Sequence, residues 1–191
     1  EKIKKLKEFF IREKIDGYLI PKNDEYFSEY VSPQKDRLNY ISNFSGSFGF
    51  SLILKNINYL FVDGRYTLQA DEQSGKLFKI ITFPKTMPFD ILNNKKLVIG
   101  FDPKIFTNKT LITFFSKKNC LLKPLNNNLI DKIWKRKITK NKNNFYFMPK
   151  QSVGENYKSK INKIVSYIKK TGADFQFITA SENNAWLLNI R

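Results

Sequence analysis

The residues best suited to chemistry form the run Asp63-Gly64-Arg65-Tyr66, where an apolar segment gives way to a helical pattern. The guanidinium of Arg65 is permanently charged, and its forked donors match a carboxylate such as the C-terminus of a peptide. The carboxylate of Asp63 can accept hydrogen bonds from free amides at the start of a helix. Two interpretations stay open: Arg65 binds the carboxylate of a ligand, or Asp63 caps the helix while Arg65 pairs with a nearby acid.

Two further motifs have weaker chemical meaning. The run 45–49 (SGSFG) could form an anion-binding nest, but it lacks both the Walker spacing and the Gly-x-Gly-x-x-Gly pattern. We therefore interpret it as a turn that enters a strand. The run 32–35 (SPQK) matches the Ser-x-x-Lys pattern of some acyl-transfer enzymes, but Pro33 breaks the helix that would align the pair.

The chain of 191 residues has no histidine. This excludes a Ser-His-Asp triad, a Cys-His pair and any histidine metal ligand. The acidic residues show no convergent spacing of the kind that an all-carboxylate metal site requires. The sequence therefore predicts no catalytic residue and no metal ligand within this chain.

The elements that must hold the 63–66 corner follow an α/β pattern. Residues 50–54 and 59–62 are almost continuously apolar, which predicts a hairpin covered on both faces. Asp36 is placed to cap a short helix before the hairpin. The further helices are predicted at 2–14, 23–30, 67–73, 110–117 and 129–134, and the further strands at 18–20, 78–83, 96–101 and 120–125.

A second structural unit is predicted after a charged, Asn-rich stretch at 135–148. Ile161, Ile164, Val165 and Ile168 recur at the spacing of an amphipathic helix. A strand at 175–180 and a helix capped by Ser181 complete a helix–strand–helix order. This order repeats the one that opens the chain, and it predicts a second copy of the same fold that is cut short.

Composition excludes several classes of protein. The hydrophobic fraction of 41% suffices for a core, and no apolar run reaches the roughly 20 residues of a membrane helix. The single cysteine excludes an intramolecular disulfide and favours the cytoplasm. A net charge of +17 attracts nucleic acid, but the lysines are scattered along the chain, and only the run 135–142 concentrates them. We interpret that run as a solvated surface or linker, and we expect neither a nucleic-acid nor a membrane partner.

Six segments in order carry a family resemblance. The chain resembles the N-terminal region of three-domain Xaa-Pro aminopeptidases, or aminopeptidases P, in the creatinase/prolidase group. The matching segments are 28–31 (SEYV), 37–49 (RLNYISNFSGSFG), 61–70 (FVDGRYTLQA), 99–103 (IGFDP), 129–134 (LIDKIW) and 185–191 (AWLLNIR).

The resemblance implies an α/β fold and a division into domains. A creatinase N-terminal-like mixed sheet flanked by helices is expected at 1–138, a linker at 139–150, and the incomplete start of a second similar domain at 151–191. The catalytic pita-bread domain is expected to be absent from this chain. In the family that domain holds two divalent metals, usually manganese.

The resemblance also implies a function. The parent protein is expected to be a metallopeptidase that removes the N-terminal residue preceding proline from peptides, and to be a cytoplasmic homodimer. This portion would be non-catalytic, would help to form the substrate cleft and the oligomer, and would contribute Arg65 to substrate binding. The alternatives are a non-enzymatic, protein-binding relative of the pita-bread enzymes and a basic nucleic-acid-binding domain.

Overall fold

The computed structural model describes residues 1–28, 30–92, 96–115, 120–136 and 144–191. The α-helices are α1 (Lys2–Arg12), α2 (Arg37–Ser42), α3 (Thr67–Ser74), α4 (Pro88–Ile91), α5 (Asn108–Phe115), α6 (Leu129–Ile133), α7 (Tyr157–Lys170) and α8 (Ser181–Leu188). The strands are β1 (Gly17–Pro21), β2 (Gly49–Leu54), β3 (Asn58–Asp63), β4 (Lys79–Phe83), β5 (Val98–Phe101) and β6 (Leu121–Pro124). Within the described ranges, no helix combines the length and the apolar character needed to cross a bilayer.

The six strands form one mixed sheet in the order β4-β3-β2-β1-β5-β6. Strand β2 runs antiparallel to both of its neighbours, and the other pairings are parallel. The carboxyl ends of the five remaining strands therefore meet at one edge of the sheet. The turn that leads into β2 lies at the same edge, which we call the carboxyl edge.

Apolar side chains cover both faces of the sheet, as the unbroken apolar strands predicted. One core cluster includes Leu6 and Phe10 of α1 together with Leu38 of α2. The other includes Phe61 of β3 and Phe114 of α5. Each face thus has helices packed on it, which confirms the predicted mixed sheet flanked by helices.

Buried polar contacts fix α6 beneath the sheet. The Tyr18 hydroxyl accepts a hydrogen bond from the Leu129 backbone N–H at 3.2 Å, and burial raises the pKa of that hydroxyl. Asn128 caps α6 at the Ile130 amide and donates to the Asp102 carboxylate at 2.9 Å. These contacts hold the loops after β5 and β6 together at the carboxyl edge.

The described residues divide into two compact units. The first holds Glu1–Glu25 and the described part of Glu29–Lys137, and the second holds Tyr26–Ser28 and the described part of Ile138–Arg191. In the first unit, the Trp134 ring stacks on Tyr40 with ring centroids 4.7 Å apart.

A buried lysine joins the two helices of the second unit. Lys160 on α7 donates to the Trp186 carbonyl oxygen at 2.7 Å and to the Asn189 Oδ1 at 2.6 Å. Its ammonium group also lies 4.1 Å from the centre of the Trp186 ring. Phe147 and Ile190 form an isolated antiparallel bridge in the same unit.

Three sequence predictions are wrong in local detail. Residues 175–180 form no strand, because no described strand pairs with them, and the side chains of Phe175 and Phe177 are 83% exposed. The described part of 23–30 is a turn rather than a helix, and Phe27 has a φ of 55° that a right-handed helix excludes. Ser181 does not cap α8, whose N-cap is Ala180 without a side-chain hydrogen bond.

Several predictions lie partly outside the described residues. These are position 29 of the helix predicted at 23–30, positions 116–117 of the helix predicted at 110–117, positions 139–143 of the linker predicted at 139–150, and positions 29, 93–95, 116–119 and 137–138 of the domain predicted at 1–138. The domain boundaries placed at 138 and 151 stay predictions.

Candidate functional site at the carboxyl edge of the sheet

The 63–66 corner is built around a local ion pair. Asp63 ends β3, and its Oδ1 accepts hydrogen bonds from the backbone N–H and the Nε of Arg65, both at 2.9 Å. Its Oδ2 accepts a longer bond from the Arg65 Nη2 at 3.4 Å. The hydrogen bond from Arg65 lowers the pKa of the Asp63 carboxyl and raises that of the guanidinium. The structure therefore contains the capping and pairing that the second sequence interpretation describes.

This ion pair leaves part of the Arg65 guanidinium open. Asp63 occupies the side of the group formed by Nε and Nη2, and the described residues give Nη1 no hydrogen-bond partner. The Arg65 side chain is 74% exposed. An arginine has five N–H donors, so its outer end can still bind a second carboxylate in a bidentate arrangement. Pairing with Asp63 and ligand binding by Arg65 are thus compatible.

The neighbouring tyrosine fixes the corner to the turn before β2. The Arg65 guanidinium lies 5.4 Å from the centre of the Tyr66 ring. The Tyr66 hydroxyl is 2.7 Å from the Ser47 Oγ, and its ring meets Phe44 edge-on with centroids 6.0 Å apart. The corner and the 45–49 turn therefore form one connected structure.

Helix α3 holds the 45–49 turn from the other side. The Gln73 Oε1 accepts a hydrogen bond from the Ser45 backbone N–H at 2.9 Å, and the Gln69 side chain donates to the Ser45 hydroxyl at 2.9 Å. The Ser45 amide is already bonded within the protein and is not presented to an anion. This geometry supports the interpretation of the segment as a turn.

A second cluster of charges at the carboxyl edge was missed by sequence reasoning. Arg37 is 3% exposed, and its Nε and Nη2 bind the two carboxylate oxygens of Asp131 at 2.9 and 2.8 Å. Glu25 accepts from the Arg37 Nη2 at 2.6 Å and from the Lys35 Nζ at 3.0 Å. Arg136 adds a 2.8 Å bond to Asp131.

Hydrogen bonding keeps this cluster ionised. Desolvation by burial raises the pKa of Glu25, but hydrogen bonds from its own backbone amide, Lys35 and Arg37 outweigh burial and lower it to about 2. In Asp131, bonds from Arg37 and Arg136 likewise overcome desolvation and lower the pKa. The charges are paired with one another, so we assign the cluster to fixing α2 and the loop after β1 onto α6. The sequence feature that could have indicated this cluster is Arg37 itself, a charged residue next to Leu38 at the start of α2.

The structure does not support a catalytic role for the 32–35 motif or a metal site among the described acidic residues. The Lys35 ammonium, the base of the 32–35 motif, is paired with Glu25 at 3.0 Å. Among the described residues, no group of three or more aspartate, glutamate or cysteine side chains is placed to hold a metal ion.

Comparisons with known proteins agree with the geometry. The model of the creatinase/prolidase N-terminal domain matches residues 2–131, and a second model of the same description matches residues 136–191. Xaa-Pro aminopeptidase 1 of Dictyostelium discoideum is 29% identical over 214 residues, which cover 100% of this chain and 33% of that protein. The family resemblance in the sequence is therefore confirmed.

Solved structures give the same picture. An X-prolyl aminopeptidase of Caenorhabditis elegans, described as a cytosolic enzyme with a di-nuclear active site, matches with a TM-score of 0.88 and 25% identity. The match covers 100% of this chain and 34% of that one. The N-terminal domain of the cytoplasmic peptidase PepQ of Mycobacterium tuberculosis shares the fold, with a TM-score of 0.53, 21% identity and coverage of 70% and 98%. The chain spans about a third of the length of the curated relatives it matches.

Proposed function

Since this chain belongs to the creatinase/prolidase N-terminal domain family, we propose that it is the non-catalytic N-terminal part of an Xaa-Pro aminopeptidase. The whole protein would remove the residue that precedes proline at the N-terminus of a peptide. The names of its relatives and the similarity over the full length of this chain support the proposal. In this arrangement the chain frames a cleft whose reacting groups lie elsewhere in the protein.

The direct contribution of this chain to the substrate is assigned to Arg65. The observation that carries this assignment is the exposed guanidinium, held side-on by Asp63 with its outer donors open. Because the corner is braced by Tyr66 and Ser47, the charge is held in place before a ligand arrives. A carboxylate of the peptide substrate is the group that fits this fork.

The metals, assembly and location belong to the same proposal. Two divalent metal ions, with manganese as our choice, would be bound by the catalytic domain outside this chain and would activate the attacking water. The di-nuclear centre and the cytosolic location described for the Caenorhabditis elegans enzyme support two metals and a cytoplasmic protein. A homodimer is proposed by resemblance to the family.

Steady-state kinetics of the full-length protein test the role of Arg65. In Arg65→Ala we expect kcat/KM for peptides with proline in second position to fall about tenfold, since a charge-assisted contact to the substrate is lost. The loss should be larger for peptides with a free C-terminal carboxylate than for their amides. Arg12→Ala, which removes an exposed arginine from α1, is the matched control.

Two outcomes contradict the proposal at different levels. Unchanged kinetics in Arg65→Ala would remove this residue from the substrate site while leaving the enzyme assignment intact. A full-length wild-type protein that cleaves no proline peptide in the presence of manganese would favour the alternative of a non-enzymatic binding protein.

A further inference from the structure

Phe48 is an aromatic residue that the function described so far does not use. Its side chain is 42% exposed, although it lies between two residues that the fold holds in place. On its N-terminal side, Ser47 is bonded to Tyr66. On its C-terminal side, Gly49 begins β2, and a Cβ added at Gly49 would lie 2.9 Å from the Phe61 carbonyl oxygen.

The strand register places Phe48 opposite the ion pair at the corner. Gly49 pairs with Val62 in the antiparallel β2–β3 ladder, so the register continued by one residue sets Phe48 across from Asp63. Opposed residues of an antiparallel pair have Cα atoms about 4.5 to 5.5 Å apart, and their side chains lie on the same face. Phe48 is therefore a neighbour of the carboxylate that orients Arg65.

The Phe48 ring rests on a packed aromatic base. Its centroid lies 5.9 Å from that of Phe83, the residue that pairs with Asp63 on the far side of β3. Phe83 in turn meets Phe50 and Phe114 edge-on, at 5.5 and 5.9 Å. One side of the Phe48 ring thus packs against the core, and the ring keeps an exposed apolar surface on the strand position opposite Asp63.

We propose that Phe48 is a specificity-determining residue that contacts the side chain of the substrate residue whose carboxylate binds Arg65. The carboxylate and the side chain of a C-terminal residue branch from one Cα, so a site for the second group must lie within a few ångströms of the first. Phe48 is suited to this place because it stands opposite Asp63, the residue that is bonded to Arg65, and its ring already packs against Phe83. The proposal rests on the proposed function, and it adds a preference for peptides that end in a large apolar residue.

Paired tripeptides test this preference in the full-length protein. The substrates are Ala-Pro-Phe and Ala-Pro-Gly, each with a free C-terminus. Phe48→Ala should raise KM for Ala-Pro-Phe about fivefold, the effect of losing one apolar contact, and change KM for Ala-Pro-Gly less than about twofold. Because a contact to the C-terminal side chain is made equally in the ground state and the transition state, kcat should stay within about twofold for both peptides.

Two further variants make the result decisive. Phe48→Leu keeps an apolar side chain and should retain most of the discrimination, and its result decides the question if Phe48→Ala lowers Tm. Ile112→Ala removes an exposed apolar side chain from α5 and should leave both KM values unchanged.

Three results would overturn the inference. An equal rise in KM for both peptides, or no change for either, would show that Phe48 does not read the C-terminal side chain, while the Arg65 test could still succeed. Failure of the wild-type protein to cleave either peptide would remove the proposed function and this inference together.

Discussion

Arg37 and Arg65 lie at the same edge of the sheet but differ in burial and in how many of their donors are already bonded. Arg37 is 3% exposed and uses its charge to satisfy Glu25 and Asp131. The Arg65 side chain is 74% exposed, and only one side of its guanidinium is hydrogen-bonded to Asp63. We therefore expect the loss of Arg37 to be felt in stability, whereas the open donors of Arg65 are the basis on which ligand binding is proposed for it.

Substitution of the two arginines should separate these tasks. Arg37→Met leaves Glu25 paired only with Lys35 and Asp131 paired only with Arg136. Because both carboxylates are partly buried, we expect the free energy of unfolding to fall by about 2 kcal/mol. Arg65→Ala should leave it nearly unchanged, as is usual for an exposed pair. Urea denaturation of the 191-residue chain measures both values, and similar losses for the two variants would contradict this account.

The low pKa of Glu25 predicts a loss of stability in acid. Its folded value of about 2 lies below the ordinary value of 4.5, so its ion pairs contribute fully above about pH 4.5 and are lost as the pH falls towards 2. The free energy of unfolding should decrease across this window in the wild type and decrease less steeply in Glu25→Gln. Glu8→Gln on α1 is the control, and an identical pH profile for wild type and Glu25→Gln would rule out this role.

At the level of elements, the sequence predicted what depends on local pattern. The β2–β3 hairpin and the Asp36 cap of α2 were predicted because apolar runs and a capping residue are local signals, and Asp36 accepts from the Asn39 amide at 3.0 Å. The strand order and the Arg37–Asp131 pair were not predictable, because their partners lie far apart in the chain. The prediction of a strand at 175–180 was wrong, because an apolar segment forms a strand only where a partner strand can pair with it.

The candidate site was predicted to a similar extent. The Asp-Gly-Arg-Tyr motif and the family resemblance pointed to Arg65. The side-on pairing of its guanidinium with Asp63 could not be predicted from the sequence and is seen only in the structure. The placement of Phe48 was hidden for the same reason, because it follows from the register of β2 on β3. Whether Arg65 contacts a substrate stays a prediction.

In the second unit, Lys160 should be the residue on which α8 depends. Its ammonium group satisfies a carbonyl oxygen at the end of that helix and the side chain of Asn189. Lys160→Met removes two charged hydrogen bonds, and we expect the opening free energy of α8 to fall by about 2 kcal/mol. Hydrogen exchange of the α8 amides measures the change. Lys158→Met, an exposed position on α7, should leave the exchange unaltered, and equal protection in both variants would contradict the prediction.

At the level of the whole molecule, the net charge is +17, and most of its lysines are scattered along the chain. Nucleic-acid binding requires lysine and arginine side chains gathered on one face, so that several phosphates are neutralised together. We expect no binding of a labelled DNA duplex to the 191-residue chain at 150 mM salt and protein concentrations up to about 10 μM, measured by fluorescence anisotropy. Micromolar affinity with a steep salt dependence would instead support the basic-domain alternative.

The two tryptophans lie in different units, so their fluorescence can report the unfolding of each unit separately. Trp134 stacks on Tyr40 in the first unit, whereas Trp186 lies against Lys160 in the second. A single Trp-to-Phe replacement therefore leaves one fluorophore, whose emission reports the unfolding of its own unit. Denaturation curves of Trp134→Phe and Trp186→Phe would then reveal, without labels, whether the units melt together or in succession.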